Sequence, residues 1–172
     1  MNLLNRHLLP LLTKRTPKVL AFPKYSFSTE VDPSSIRVNR FHTGLCLMPH
    51  PAKKAKGGED AASITDNIVI VADGVGGWAD SGVDPAKFPR MLMSNIDKRI
   101  AREVDDEYIE DPTRLLIDAM EETREKGSST CVILTLDKHY PFLRTSNIGD
   151  SAYLLLRKSG ADLVSIFRSK EQ

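Results

Sequence analysis

The chain has 172 residues, 41% of them apolar and 27% charged, which favours one globular domain. A net charge of +1 gives no bias toward nucleic acid or an anionic membrane surface. The cysteines, Cys46 and Cys131, form no CxxC pair, and the histidines (His7, His42, His50, His139) show no HxxxH spacing, which argues against a disulfide scaffold or a structural zinc site.

The first element is a leader. Residues 1–29 contain Arg6, Lys14, Arg15, Lys18 and Lys24 and no acid; the first carboxylate is Glu30. Leucines recur at 3, 4, 8, 9, 11 and 12. A basic, acid-free N-terminus with Leu, Ser and Thr has the composition of a mitochondrial presequence. Residues 1–30 are therefore expected to be a disordered presequence, and the protein a mitochondrial matrix protein; the other reading is a basic tail with no address. Arg6, Pro10 and Lys14 interrupt the apolar stretches well short of the ~20 residues that span a bilayer. No later segment is expected to span a membrane either.

Beyond the leader, Ile36, Val38, Phe41, Leu45 and Leu47 suggest one or two short strands near Gly44. "PHPAKKAKGG" is expected to be a loop. "NIVIVA" is short and β-branched and ends at a glycine cluster, which predicts a buried strand over 67–72. Asp84-Pro85 is a helix-start signal, and Phe88, Leu92, Ile96, Ile100 and Val104 make one apolar stripe. Pro89 is tolerable only in the first turn of that helix. A second helix opens at Asp111-Pro112 with a stripe of Leu115, Leu116, Ala119 and Met120, and Gly127 is its expected C-cap. From 128 the period becomes two: "STCVILTLD", "PFLRTSN", "AYLLLR" and "DLVSIF" predict four strands joined by hairpins. The fold class is therefore α+β, two helices followed by an antiparallel meander.

One loop carries the chemistry. Gly74, Gly76 and Ala79 match G-x-G-x-x-A after a strand, the dinucleotide fingerprint. That match fails on charge and geometry. Asp73 would sit beside an anionic pyrophosphate, and Ser81, Gly82 and Pro85 delay the helix whose N-terminus should meet it. The alternative starts from the carboxylates. Asp73 leaves a strand, Glu59-Asp60 follow a glycine pair, and Asp150 follows Gly149 in a predicted hairpin turn. Carboxylate and carbonyl oxygens are hard ligands suited to Mg²⁺ or Mn²⁺. Two such ions close together could activate water and clamp a phosphate. Taken singly, each Asp-Gly is ordinary turn chemistry.

Together, "GGEDA", "VADGVGGW", "GSSTCVILTLD" and "NIGDSAYLLLRKSG" follow the order and approximate spacing of the metal-dependent type 2C (PPM) protein Ser/Thr phosphatases. "ADGVGGWADSGVDP" resembles most the mitochondrial T-cell-activation branch. The resemblance covers roughly residues 40–172. It implies an αββα fold, an antiparallel β-sandwich flanked by helices, with residues 35–172 as its N-terminal portion. It also implies hydrolysis of phosphoserine or phosphothreonine by metal-activated water, with two Mn²⁺ or Mg²⁺ ions and a phosphoprotein substrate. Asp73 would bridge the ions and Gly74 would offer its carbonyl. Glu59 and Asp60 would act through water, with Asp60 and Asp73 as the catalytic acids, and Asp150 would hold a possible third ion. Asn147, Gly149 and Ser151 would shape the last turn, and Gly127 to Thr130 the strand entry.

Two departures follow from the same resemblance. The family's phosphate-gripping Arg, four residues before the Glu, is here Ala55, with Lys56 beside it as a weak substitute. The family's later Asp-Gly and Asp-Asn motifs are not reached before "FRSKEQ", so the C-terminal portion of the domain is expected to be missing. The alternative function is then an inactive pseudophosphatase, a binding or structural subunit with a mitochondrial protein partner.

Overall fold

β-Branched residues that alternate between covered and open positions make the central strand of the main sheet, and "IVIVA" does so at Ile68–Ala72. Ile68, Ile70 and Ala72 are buried while Val71 is exposed. The computed structural model describes residues 38–102 and 111–172. The expected presequence, residues 1–30, and Val104 of the first helical stripe lie outside the described residues.

Six strands are present: β1 (Ala61–Ile64), β2 (Ile68–Ala72), β3 (Cys131–Leu136), β4 (Leu143–Ile148), β5 (Leu154–Ser159) and β6 (Asp162–Arg168). β1-β2-β3-β4 form one antiparallel sheet in that order, and β5-β6 form a separate two-stranded sheet. This is the expected mixture of helices and antiparallel sheet, with three differences. β1 was not anticipated; "AASI" is short and mostly small, and only pairing with β2 makes it a strand. No strand forms near Gly44, because Val38, Leu45 and Leu47 stay exposed. That segment is tethered instead: Asn39 Nδ2 donates to the carbonyls of Asp137 (3.1 Å) and Tyr140 (2.9 Å), and the Phe41 N–H donates to Asp66 O (2.6 Å). Finally, β4 and β5 are not joined as a hairpin. The chain leaves the first sheet at Gly149 (φ 88°), and Tyr153 hydrogen-bonds back to Thr145 across 2.9 Å.

Two helices cover one face of the sheet. α1 (Lys87–Arg102) starts two residues after the predicted Pro85, because the Asp84 carboxylate closes a turn on the Ala86 N–H (3.1 Å). Pro89 falls in its first turn, where no backbone donor is required. α2 (Pro112–Glu122) begins as expected, with the Asp111 side chain accepting from the N–H groups of Thr113 and Arg114. It ends at Thr123 rather than at Gly127, and Met120 is outside the core. Leu92, Met93 and Ile96 of α1 and Leu115, Leu116 and Ala119 of α2 meet Ile68, Ile70, Cys131 and Ile133 in one core. Arg99 ties the helices by donating to Asp118 (3.2 Å) and Glu122 (2.7 Å).

Candidate functional site

The sheet register brings the acidic motifs to one end. Ala61 pairs with Ala72, so one step further along the same antiparallel register Asp60 stands opposite Asp73. A second step sets Glu59 against Gly74, and the Gly74 N–H donates to the Glu59 carbonyl (3.2 Å). On the other side, Gly74 bridges Ser129. Both main-chain groups of Asp73 are engaged there. Its N–H donates to Thr130 Oγ1 (3.1 Å), and its carbonyl accepts from the Thr130 N–H (2.9 Å) and the Ser129 hydroxyl (2.9 Å). Thr130 Oγ1 is also 2.6 Å from Ser151 Oγ, which ties the segment after Asp150 to the same end. Motifs distant in sequence are thus neighbours because they sit on adjacent strand ends.

Glycine is required where the strands converge. A Cβ on Gly74 would lie 2.5 Å from the Pro85 carbonyl oxygen and 2.7 Å from that of Glu59, both backbone atoms that cannot yield cheaply. After Gly74 the chain does not enter an α-helix; it makes a single 3₁₀ segment, Gly76–Ser81, as expected from the rejection of the dinucleotide fingerprint. Trp78 fastens this segment by donating its indole N–H to Ser128 Oγ (2.8 Å), and the Val75 N–H donates to the Ser128 carbonyl (3.1 Å). Gly127 is explained here too: at φ 144° it passes so close to Phe88 that a Cβ would be 2.8 Å from the Phe88 Cβ.

The carboxylates share an open cleft of about 160 Å³, lined by Pro49, His50, Lys53, Gly58, Glu59, Asp60 and Asp73. The Asp73 carboxyl is held above its ordinary range, first by burial, then by a hydrogen bond with Asp60 and by the charges of Asp60, Asp150 and Glu59. Asp60, Asp73, Glu59 and Asp150 are therefore brought within electrostatic reach of one another. Lys56 is not. Its side chain is exposed outside the cleft lining, and its carbonyl accepts from Arg90 Nη2 (3.3 Å).

Two residues in this region escape sequence reasoning. Lys53, not Lys56, enters the cleft and pairs with Glu59. The segment Pro51–Lys56 is a 3₁₀ helix, and Gly57 and Gly58 follow it with φ of 80° and 79°, turning the chain so that residue 53 meets residue 59. The glycine pair was the available signal, since successive left-handed residues reverse a chain. Arg90 of α1 is the second: its Nη2 donates to the carbonyls of Lys56 and Gly58 (3.1 Å to the latter) and holds the turn from outside.

No family model matches the chain. Individual proteins do. Over 142 residues the chain is 40% identical to the Arabidopsis thaliana protein named probable protein phosphatase 2C 80, covering 81% of this chain and 32% of that one. It is 38% identical over 118 residues to probable protein phosphatase 2C 1 of Oryza sativa subsp. japonica, covering 67% and 34%. Its fold matches the X-ray structure of the photosystem II phosphatase PBCP with a TM-score of 0.64 and 35% identity, over 74% of this chain and 48% of that one. Over 81% of its length the chain is similar to protein phosphatase 2C proteins. It spans about a third of the length of these curated relatives.

The type 2C motifs can be tested against a divalent cation by their donor chemistry. Among the described residues, no three His, Cys, Asp or Glu side chains form a ready-made metal cage. The cleft nevertheless offers the carboxylate oxygens of Glu59, Asp60 and Asp73 beside His50, and burial, followed by the neighbouring acids, holds the Asp73 carboxyl up. A hard divalent cation would relieve that crowding, and Mg²⁺ or Mn²⁺ accepts water in the positions protein does not fill. The residues fit such an ion as part of its coordination sphere.

Proposed function

We propose that this chain carries the N-terminal half of the active site of a metal-dependent protein Ser/Thr phosphatase that hydrolyses phosphoserine and phosphothreonine. The observation that supports it is the strand register that sets Asp60 opposite Asp73, with Glu59 and Asp150 near enough to perturb the Asp73 carboxyl. In this reading Asp73 and the Gly74 carbonyl hold Mg²⁺ or Mn²⁺ directly, Glu59 and Asp60 act through water, and Asp150 serves a weaker ion. The cations supply Lewis acidity toward water and positive charge toward the phosphoryl oxygens. The chain's own residues position them: Thr130 and Ser129 lock the Asp73 backbone, and Arg90 holds the turn that carries Glu59. The test is phosphate release from a phosphoserine peptide by the purified chain with Mn²⁺. Turnover lost in Asp73→Asn supports the proposal. Neither turnover nor Mn²⁺ binding despite cooperative folding favours the alternative, a pseudophosphatase acting as a binding subunit of a mitochondrial assembly.

That alternative draws on β5 and β6, where Leu154, Leu156, Leu163, Val164, Ile166 and Phe167 are all exposed and suited to pairing with a partner chain. It predicts co-elution with a larger complex. Location is a separate proposal, resting on the acid-free basic composition of residues 1–29. A fluorescent fusion to residues 1–36 should reach the mitochondrial matrix; fluorescence in another compartment rejects the address. Among the described residues no helix is long and apolar enough to cross a membrane.

A further inference from the structure

We infer that Lys53 is the residue through which this site holds the oxygens of a phosphoryl group. The inference rests on the phosphatase reading and deepens it. A cleft lined by Glu59, Asp60 and Asp73 repels a phosphate dianion, so a cationic protein group beside the metal position has a specific use. Lys53 is the single Lys or Arg among the residues lining that cleft. Its ammonium has three donors, and the pair with Glu59 occupies one of them. Glu59 is mostly covered, its side chain 15% exposed, whereas that of Lys53 is 44% exposed, so the anchored ammonium remains reachable from solvent.

The backbone is built to keep it there. The 3₁₀ helix and the two left-handed glycines fold residue 53 back onto residue 59, and Arg90 fastens the turn. Gly76 leaves room on the other side: a Cβ at that position would lie 3.0 Å from Lys53 Nζ and 3.0 Å from Glu59 Oε2. The loop that carries Asp73 and Gly74 thus passes directly against the ammonium. Lys54 and Lys56 stay exposed on the outer side of the same turn.

The rival role is a simple counter-ion for Glu59, and phosphate binding separates the two. Calorimetric titration of the chain with Mn²⁺, and then of the Mn²⁺-loaded chain with inorganic phosphate, is compared for wild type, Lys53→Met, Lys53→Arg and Lys56→Met. Losing one charge-assisted contact should weaken phosphate about tenfold in Lys53→Met. Lys53→Arg should retain binding within about threefold, since charge and donors survive. Lys56→Met should match wild type. A phosphate Kd in Lys53→Met within about twofold of wild type, an equal loss in Lys56→Met, or no phosphate binding by loaded wild type overturns the role of Lys53. In those cases normal Mn²⁺ heats leave the metal reading standing. Absent Mn²⁺ heats overturn that reading, and the role of Lys53 with it. A counter-ion role alone would lower the unfolding midpoint of Lys53→Met and leave the phosphate Kd unmoved.

Discussion

Asp60 and Asp73 stand opposite each other across the ends of two paired strands, and the charge of Asp60 helps to hold the Asp73 carboxyl above its ordinary range. Like charges directly opposite on a sheet destabilise it. The site therefore works against the fold that carries it, and Asp73→Asn should stabilise the metal-free chain. The expected gain is about 0.2–0.5 kcal/mol, the low end for a cross-strand pair because Asp73 is exposed. Partial burial of the carboxyl and its acidic neighbours raise the Asp73 pKa above 3.8, so its cost is absent below that value and develops as pH rises through the folded pKa. Thermal melts in EDTA should show the gain at pH 7 and none well below 3.8. Adding Mn²⁺ should raise the midpoint of wild type and leave that of the mutant unchanged. A mutant less stable than wild type in EDTA would refute the strained pair.

Gly74 and Gly77 lie three residues apart and should respond oppositely to alanine. The new methyl at 74 meets two backbone oxygens at 2.5 and 2.7 Å, whereas at 77 nothing lies within 4 Å. Gly74→Ala should cost about 1–3 kcal/mol or more through forced backbone movement. Gly77→Ala should stay within about 0.5 kcal/mol of wild type. Urea midpoints measure both, and equal midpoints would contradict the close approach of Gly74 to Glu59 and Pro85.

The contrast shows which parts of the fold are legible before folding. The strands β2 to β6 and the start of α2 are legible because side-chain period and caps are local, and the start of α1 is legible to within two residues. β1 is not, since "AASI" has no alternation of its own and takes its register from β2. The split between β4 and β5 is hidden as well. A short connector suggests a hairpin, whereas Gly149 and the Thr130–Ser151 and Thr145–Tyr153 contacts turn the chain out of the sheet. In the site, Glu59, Asp60, Asp73 and Asp150 are legible as motifs. Lys53 is not, because its place depends on two consecutive positive φ angles rather than on spacing to the acidic pair.

Cys131 and Cys46 offer a probe of that core. Cys131 is 1% exposed at the start of β3, and burial pushes its thiol up to about 12, while Cys46 is open to solvent. Thiolate is the reactive form, so a disulfide reagent at pH 8 should modify Cys46 at once. Cys131 should react only through opening of the sheet, roughly 10³-fold more slowly for a domain of ordinary stability. Mass spectrometry resolves the two sites, and simultaneous labelling would contradict a closed core around Ile70 and Leu92.

Asp137 organises the β3–β4 turn and should make its stability pH-dependent. One carboxylate oxygen accepts the N–H groups of His139 (2.8 Å) and Tyr140 (2.8 Å), and the other accepts Arg144 Nη1 (3.3 Å). The backbone bonds from Tyr140 and His139 pull its pKa below 3.8 against the opposing effect of burial, and Arg144 adds to the lowering. A depressed carboxyl contributes stability that is present above the unfolded pKa and disappears as pH falls through the folded one. Asp137→Asn keeps the shape and removes the charge. It should therefore melt below wild type at pH 7, and the two curves should converge as pH drops well under 3.8. The same carboxylate supports the carbonyl platform on which Asn39 docks, so Asp137→Ala should also loosen the segment around Phe41. Faster amide exchange at Asn39 and Phe41 in the alanine variant, but not in Asn39-distant β1, is the expected signature. A pH-independent gap between wild type and Asp137→Asn would show that the turn is held by shape alone.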